Sequence, residues 1–366
     1  MKFRKPRIAY ILQMFGVGGM PQWLLRLATT LQNEFDIYFI ATHSDVFLPS
    51  AAEVARLVHL PPEKWRLAAT LARQRIDLVQ MANLRLYADA AILAGVPVVI
   101  ERTDGLRNGA ALGPKHGLDA VVASTRGTVE PIAGLIPRHK IHVIYNGIDL
   151  EHYRQAAPQR FGFGAEDVII GRTSRLARGK NLSLLIRAVT RLRQVSRFNH
   201  VRLVICGGDT TQPDAEPMLA ELQAEAAPLG DSAVFAGEVA DPAGITAGYD
   251  IVTCTSKPEN EGIPNSLLEG MAASKPLVST AVGDIPEILT DGENGFLVPS
   301  DDEAALAEAL ARLVEDADLR RRMGRAGQAL IAREFDLATQ AEKYAALYRR
   351  LLEEHGRWPR LPWGRT

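Results

Sequence analysis

Short apolar runs alternate with stretches of helical periodicity along this chain, and the alternation occurs twice. The first series opens with Arg7–Leu12 (RIAYIL), a glycine-rich loop over Gln13–Pro21 and a helical pattern over Gln22–Gln32. The second series opens in the same order, with a strand pattern at Val168–Gly171, a polar loop and a helical pattern over Leu182–Val195. Strands that alternate with helices form βαβ units and a largely parallel sheet. The other runs that we predict to be strands are Ile37–Ala41, Leu78–Met81, Val96–Ile100, Ala120–Ala123, Ile141–Ile144, Val201–Cys206, Val234–Phe235, Ile251–Thr255, Pro276–Ser279 and Phe296–Val298.

The domain organisation follows from this doubling, because 366 residues exceed one ordinary domain. A turn cluster at Tyr145–Asp149 separates the two series. We predict an α/β fold of two facing Rossmann-like domains, residues 1–150 and 151–335. Residues 336–366 are expected to form a helix and tail that cross back to the N-terminal domain. Ligands of such sheets bind at the carboxyl ends of the strands, so we expect the ligand in the cleft between the domains.

The composition excludes several classes of protein. A hydrophobic content of 47% with 23% charged residues excludes wholesale disorder. No apolar run approaches the ~18 residues of a membrane span, and the basic segment 1–6 lacks the apolar stretch of a signal peptide. Cys206 and Cys254 each lie in an apolar run, which predicts buried thiols in a reducing cytoplasm and no CxxC site.

The net charge of −1 conceals an asymmetry between the halves. Residues 1–150 carry 17 Lys and Arg against 12 Asp and Glu, whereas residues 151–366 carry 25 against 31. This balance argues against a nucleic-acid binder with a dominant basic face. It leaves room for a basic half that meets an anionic substrate or a membrane surface.

Two loops that follow first strands are candidates for anion binding. Gly18 and Gly19 precede a helix and allow the backbone to approach a ligand closely, although plain turn chemistry is an equal alternative. Pro21 occupies the position where the NAD fingerprint needs a small residue, which disfavours NAD. Arg175 and Lys180 precede the second helix, where cations oppose the helix dipole unless an anion lies between them. We favour a phosphate site at this loop over a solvated surface loop.

The segment over 259–269 (ENEGIPNSLLE) carries two carboxylates, Glu261 and Glu269, eight residues apart. If a helix starts near Pro264, both could face one cleft, and residues 262–265 would offer backbone N–H groups. A carboxylate accepts hydrogen bonds from vicinal hydroxyls, as found in ribose and hexoses. The alternative for either residue is stabilisation of the helix dipole or a surface position.

This segment resembles the E-x7-E signature of the retaining GT-B glycosyltransferases, in particular the GT4 family. The resemblance covers nearly the whole chain and is strongest over 141–300. The other segments that carry it are Gly18–Gly19, Val143–Asp149, Arg175 with Lys180, Cys206–Asp209, Val282–Ile288 and Asp291–Leu297.

The resemblance implies a retaining, metal-independent hexosyltransferase that needs no cofactor and moves a sugar from a nucleotide-diphosphate sugar, most often a UDP-sugar, to a hydroxyl acceptor. Arg175 and Lys180 would bind the diphosphate, and Glu269 would hold the ribose hydroxyls. The transferred sugar and its phosphate would be held by Glu261, as a positioning and electrostatic residue, with the backbone of Gly262, Ile263, Pro264 and Asn265. Gly18 and Gly19 would let the N-terminal domain close over the diphosphate.

The chain departs from the family pattern in its N-terminal half. The strand at 96–100 is not followed by the histidine of many relatives, and Arg102 and Asp104 stand near that place as acceptor-side candidates. The Asp316–Ala317–Asp318 triplet has the form of a metal signature, but it lies between helical stretches. We predict that it starts a helix and that no metal is required.

Two other activities stay open: a UDP-sugar 2-epimerase, for which the chain lacks an evident acid–base set, and a non-catalytic sugar-nucleotide binder. The sequence does not specify the base, the sugar, the acceptor (a glycan, a glycolipid or another glycoconjugate) or the oligomeric state. Trp358 and Trp363 lie among arginines in the tail. We favour a packed or frayed tail over peripheral contact with the inner face of the membrane.

Overall fold

The computed structural model describes residues 4–15, 19–48, 50–82, 85–103, 117–208, 215–239, 241–258 and 262–357. The chain divides into two compact units. The first unit comprises Met1–Gly147 and Leu337–Thr366, and the second comprises Ile148–Asp336. The chain first passes from one unit to the other after Gly147, three residues before the predicted domain boundary at residue 150.

The first unit contains a parallel sheet, which has seven strands within the described residues, in the order β3-β2-β1-β4-β5-β6-β7. Its strands are β1 (Arg7–Leu12), β2 (Asp36–Ala41), β3 (Arg56–His59), β4 (Leu78–Ala82), β5 (Val98–Thr103), β6 (Ala120–Ala123) and β7 (Ile141–Val143). Its first helices are α1 (Gly19–Leu31), α2 (Ala51–Val54), α3 (Lys64–Arg73), α4 (Arg85–Leu93) and α5 (Val129–Ala133).

The second unit repeats this plan with a parallel sheet in the order β10-β9-β8-β11-β12-β13. Its strands are β8 (Val168–Thr173), β9 (Val201–Cys206), β10 (Ala233–Gly237), β11 (Ile251–Cys254), β12 (Leu277–Thr280) and β13 (Gly295–Val298). Its helices are α6 (Leu150–Gln155), α7 (Leu182–Arg193), α8 (Ala215–Glu225), α9 (Ala243–Gly248), α10 (Asn265–Ala272), α11 (Glu303–Glu315) and α12 (Ala317–Leu330), followed by a π-helical turn over Ile331–Phe335.

The strands are apolar because helices cover both faces of each sheet. Successive side chains of β1 alternate between the two faces: Ile8, Tyr10 and Leu12 belong to one core cluster, whereas Ala9 and Ile11 belong to the other. This burial explains why unbroken apolar runs, rather than alternating patterns, marked the strands in the sequence.

The last helix, α13 (Leu337–Glu354), packs in the first unit. The Tyr348 hydroxyl donates to Gln80 Oε1 at 2.6 Å and lies 3.2 Å from the Tyr10 hydroxyl. Gln340 accepts from Trp23 Nε1 at 3.0 Å and donates to the Tyr145 carbonyl oxygen at 2.5 Å. The side chains of α13 thereby complete the core of a sheet whose strands all precede residue 144.

The start of α1 and the presence of β3 differ from the sequence expectations, whereas α10 starts near Pro264, as expected. Helix α1 begins at Gly19 rather than Gln22, because Pro21 is accommodated in a first turn that needs no N–H donor there. Helix α10 begins at Asn265, with Pro264 at the N-cap. Strand β3 was not predicted, because its short sequence RLVH has exposed residues at both ends.

Within the described residues, no helix has the length and apolar character that crossing a bilayer would require. Cys206 and Cys254 are buried free thiols, as predicted.

Candidate functional site

The second sheet reverses its strand order between β8 and β11, which are hydrogen-bonded neighbours. The chain runs from β8 towards β9 and β10 on one side, and from β11 towards β12 and β13 on the other. The loops that follow β8 and β11 therefore diverge at the carboxyl edge of the sheet. Such a topological switch point is where open α/β sheets bind ligands.

Two hydrogen bonds join these loops. The backbone N–H of Lys257 donates to the Gly179 carbonyl oxygen at 2.9 Å, and Thr255 Oγ1 donates to the Lys180 carbonyl oxygen at 3.0 Å. The half-buried Lys180 is thus fixed beside the loop that leads to α10. Arg175, which is exposed, lies earlier in the same loop.

The loop between β8 and α7, residues 174–181, is called the cationic loop because it carries Arg175, Arg178 and Lys180. Asn181 ends it in a left-handed conformation, with φ 48° and ψ 48°, at the N-cap of α7. Asparagine tolerates this region better than most residues. Its Nδ2 donates to Asp301 Oδ1 at 2.7 Å, which anchors the loop to the segment after β13. Arg178 lies 3.3 Å from Glu221, so a carboxylate already faces this third cation of the loop.

Glu269 lies in the second turn of α10 and is partly buried. Burial raises the pKa of the Cys206 thiol to about 11, and the nearby negative charge of Glu269 contributes to the increase. Burial also raises the pKa of Tyr249, and Glu269 again adds to the shift. Because Cys206 ends β9, Glu269 lies close to the carboxyl edge of the sheet.

The segment over 262–265 leads into the N-terminus of α10, where the first backbone N–H groups have no partner within the helix. Gly262, Ile263 and Pro264 are partly buried, whereas Asn265 is exposed. The positions of Glu261, Gly18 and Asp104 lie outside the described residues. The roles predicted for these three residues, and those predicted for residues 262–265, stay predictions.

Comparisons with known proteins show what this chain is similar to. A family model described as "Glycosyl transferases group 1" matches residues 167–316, within the second unit. The chain is 29% identical over 339 residues to alpha-maltose-1-phosphate synthase of Mycobacterium tuberculosis, covering 84% of this chain and 82% of that one. The matched segment, residues 167–316, is that of a group 1 glycosyltransferase.

Solved structures show the same fold for this glycosyltransferase. The Anabaena HepE structure in complex with UDP and glucose matches 94% of this chain and 99% of its own, with a TM-score of 0.79 at 19% identity. A glycosyltransferase from Rickettsia africae covers 96% of this chain and 100% of its own, with a TM-score of 0.81 at 17% identity. The GT-B fold predicted from the resemblance is confirmed.

Arg102 of the glycosyltransferase is buried, with 3% of its surface exposed. Its guanidinium donates to Asn146 Oδ1 at 2.7 Å and lies 4.5 Å from the centre of the Trp23 ring. These contacts link the end of β5 to α1 and to the segment that leaves the first unit. They favour a structural role, and its assignment to the acceptor side stays a prediction.

The Asp-x-Asp triplet starts a helix, as expected. Asp316 is the N-cap of α12, and its side chain accepts from the Leu319 N–H at 2.7 Å. Among the residues that the structure describes, no group of three or more His, Cys, Asp or Glu side chains is placed to hold a metal ion. Metal independence of the glycosyltransferase stays a prediction.

The sequence reasoning missed two residues at this edge. Arg172, at the end of the apolar run VIIGR, is completely buried beside the switch point. Gly207 has a φ of +133°, and a Cβ atom there would lie 1.8 Å from the Ser174 carbonyl oxygen. A charge inside an apolar strand was the only sequence signal for the first, and Gly207 was noted only as part of a family turn.

Proposed function

We propose that this glycosyltransferase moves a hexose from a nucleotide-diphosphate sugar, foremost a UDP-sugar, to a hydroxyl acceptor with retention of anomeric configuration. The observation that carries the proposal is the pair of hydrogen bonds from the loop after β11 to the loop after β8. They hold Lys180 at the switch point of a sheet whose edge also carries Glu269.

The proposed diphosphate partners are Arg175 and Lys180. Arginine presents a planar fork to phosphate oxygens, and lysine presents a point charge. Negative charge develops on the diphosphate as the glycosidic bond breaks, and cations fixed in advance stabilise that charge without reorganisation. The hydrogen bond from Thr255 fixes the backbone of Lys180, which supports such prior positioning.

The proposed sugar contacts come from the segment before α10. Glu269 would accept from the ribose hydroxyls, while Glu261 and the backbone over 262–265 would hold the transferred sugar and its phosphate. Glu261 is assigned positioning and electrostatic stabilisation, not nucleophilic attack. The N-terminal unit would recognise the acceptor, which is not identified.

A nucleotide-sugar donor is supported by the Anabaena HepE structure, which was solved in complex with UDP and glucose. The free thiols of Cys206 and Cys254 support a cytoplasmic location, because disulfides are rare in that compartment.

The proposal is tested first by thermal-shift screening against UDP-, GDP- and ADP-sugars. Candidate lipid and small-molecule acceptors are then screened by mass spectrometry with the donor that stabilises the protein. NMR of the product should show that an α-linked donor gives an α-linked product, and a β-linked product would refute retention. Formation of a 2-epimer without any acceptor would instead support the epimerase alternative.

Lys180→Ala should lower turnover by about two orders of magnitude or more while leaving the melting temperature nearly unchanged, because it removes a cation that we propose contacts the leaving diphosphate. Arg178→Ala is the matched control, since Arg178 lies in the same loop but faces Glu221. Turnover should be measured for both variants with the donor identified by screening. Wild-type turnover in Lys180→Ala would contradict the assignment of this loop.

A further inference from the structure

Arg172 is the largest fully buried side chain described in this glycosyltransferase. It lies near the end of β8, next to the switch point, where strands of a covered parallel sheet ordinarily carry apolar residues. Burying a guanidinium is costly unless hydrogen bonds and a counter-charge compensate for the lost water. The contacts of Arg172 therefore show how far its buried charge is compensated.

The guanidinium of Arg172 connects three successive parts of the chain. Nη1 donates to the Thr253 carbonyl oxygen on β11 at 3.0 Å and to Ser266 Oγ in the first turn of α10 at 3.2 Å. Nη2 donates to Ser256 Oγ, directly after β11, at 3.3 Å. One side chain on β8 thus holds both ends of the loop between β11 and α10.

The charge of Arg172 is only partly compensated. All three acceptors are neutral oxygens, and Nε is buried with no hydrogen-bond partner among the described residues. No carboxylate oxygen of the described residues lies within ion-pair distance of the Arg172 guanidinium. The positive end of the α10 dipole lies at the same place, because Ser266 belongs to its first turn.

We propose that Arg172 is a positioning residue for the donor. It holds the N-terminus of α10 against the end of β8, and its buried charge makes that helix end a stronger site for the donor's diphosphate. The inference rests on the proposed function, because it takes a nucleoside diphosphate as the ligand. It assigns Arg172 no direct contact with the sugar or the acceptor.

Substitutions of Arg172 in the full chain separate its geometry from its charge. Arg172→Lys keeps the charge but loses the planar fork, and Arg172→Met removes both. Ser266→Ala leaves Arg172 in place and removes one contact to α10. The matched control is Arg202→Lys on β9, because Arg202 pairs with Asp167 at 2.7 Å, near the amino end of the same sheet.

The binding measurement compares UDP with uridine by calorimetry. Arg172→Lys should raise the Kd of UDP about tenfold, as expected for a lost hydrogen bond to a charged group, and Arg172→Met should raise it further. Uridine should bind each variant within about twofold of wild type, and Arg202→Lys should bind UDP as wild type does.

If the wild type prefers GDP or ADP, that nucleotide and its nucleoside serve as the pair. Unchanged UDP affinity in Arg172→Lys, or an equal loss for uridine, overturns the proposal.

Hydrogen exchange of the unliganded protein tests the positioning separately from the function. The backbone amides over 262–268 should exchange faster in Arg172→Lys and Ser266→Ala than in Arg202→Lys. Unchanged exchange overturns the positioning role, whatever the nucleotide data show. Failure of the wild type to bind any of the three nucleotides would instead refute the proposed function, while this measurement would still decide whether Arg172 holds the loop.

Discussion

At the scale of single residues, the site depends on backbone approaches that leave no room for a side chain. Gly207 follows β9 directly, and its Cα faces the Ser174 carbonyl oxygen at the start of the cationic loop. The Ser174 N–H donates to the Cys206 carbonyl oxygen at 3.0 Å. The loop after β8 and the loop after β9 are therefore in contact through the backbone of Ser174. Ser174, which directly precedes Arg175, can approach this closely only because Gly207 has no Cβ atom.

Gly207→Ala should lower both stability and donor affinity. The added Cβ would meet a backbone atom rather than a flexible side chain, and the φ of +133° is strained for any L-residue. We expect a loss of about 2 kcal/mol or more in the free energy of unfolding, measured by chemical denaturation. Gly164→Ala, whose Cβ would lie at an ordinary 3.7 Å from Asp167 Oδ2, is the control. Equal stability of the two variants would contradict this explanation.

At the scale of elements, the C-terminal helix is held by buried polar contacts as well as by apolar packing. Tyr10 and Tyr348 are completely or almost completely buried, and burial raises the pKa of both phenols. The hydroxyls therefore stay protonated and able to donate. This lets Tyr348 join α13 to β4 through Gln80 and approach β1 through Tyr10.

Tyr348→Phe should destabilise the first unit by about 1–3 kcal/mol, because Gln80 Oε1 would lose its donor inside the core. The measurement is urea denaturation followed by a probe of the first unit, such as Trp23 fluorescence. Phe35→Leu is a useful comparison, since it changes packing beside Tyr348 without removing a hydrogen bond. A Tyr348→Phe variant as stable as wild type would show that the hydroxyl contributes nothing.

The sequence predicted the elements that are buried on two faces and missed those that are not. Strands such as β1 and β9 appear as apolar runs because helices cover both sides of them. Strand β3 forms one edge of its sheet, and Arg56 and His59 at its ends are exposed, so its apolar run is too short to recognise. Arg172 could not be assigned from sequence, because its partners come from β11 and α10, which reach it only through non-local strand pairing.

At the scale of the whole molecule, the two units have the same sheet plan and different assigned roles. The family match lies within the second unit, whereas the N-terminal segment departs from the family pattern where a histidine was expected. The proposed donor residues that the structure describes come from the second unit, apart from Gly19 of α1. We accordingly propose that the first unit recognises the acceptor.

The enzyme should transfer sugar without a metal ion, because the proposed diphosphate partners are the cations Arg175 and Lys180. We expect turnover to be unchanged in excess EDTA, measured with the donor identified by screening. Added Mn²⁺ or Mg²⁺ should leave the rate within about twofold, since fixed side-chain cations already supply the charge stabilisation. A loss in EDTA that Mn²⁺ restores would contradict this prediction.

The return of α13 to the first unit also sets the order in which the chain can fold during synthesis. The second unit is one uninterrupted segment, Ile148–Asp336, and can close its core as soon as that segment leaves the ribosome. The first unit is made earlier but lacks Tyr344, Tyr348 and Leu352 until the last helix emerges. The first unit is therefore the last to complete its core, and one face of its sheet, against which α1 already packs, stays only partly covered while the whole second unit is made.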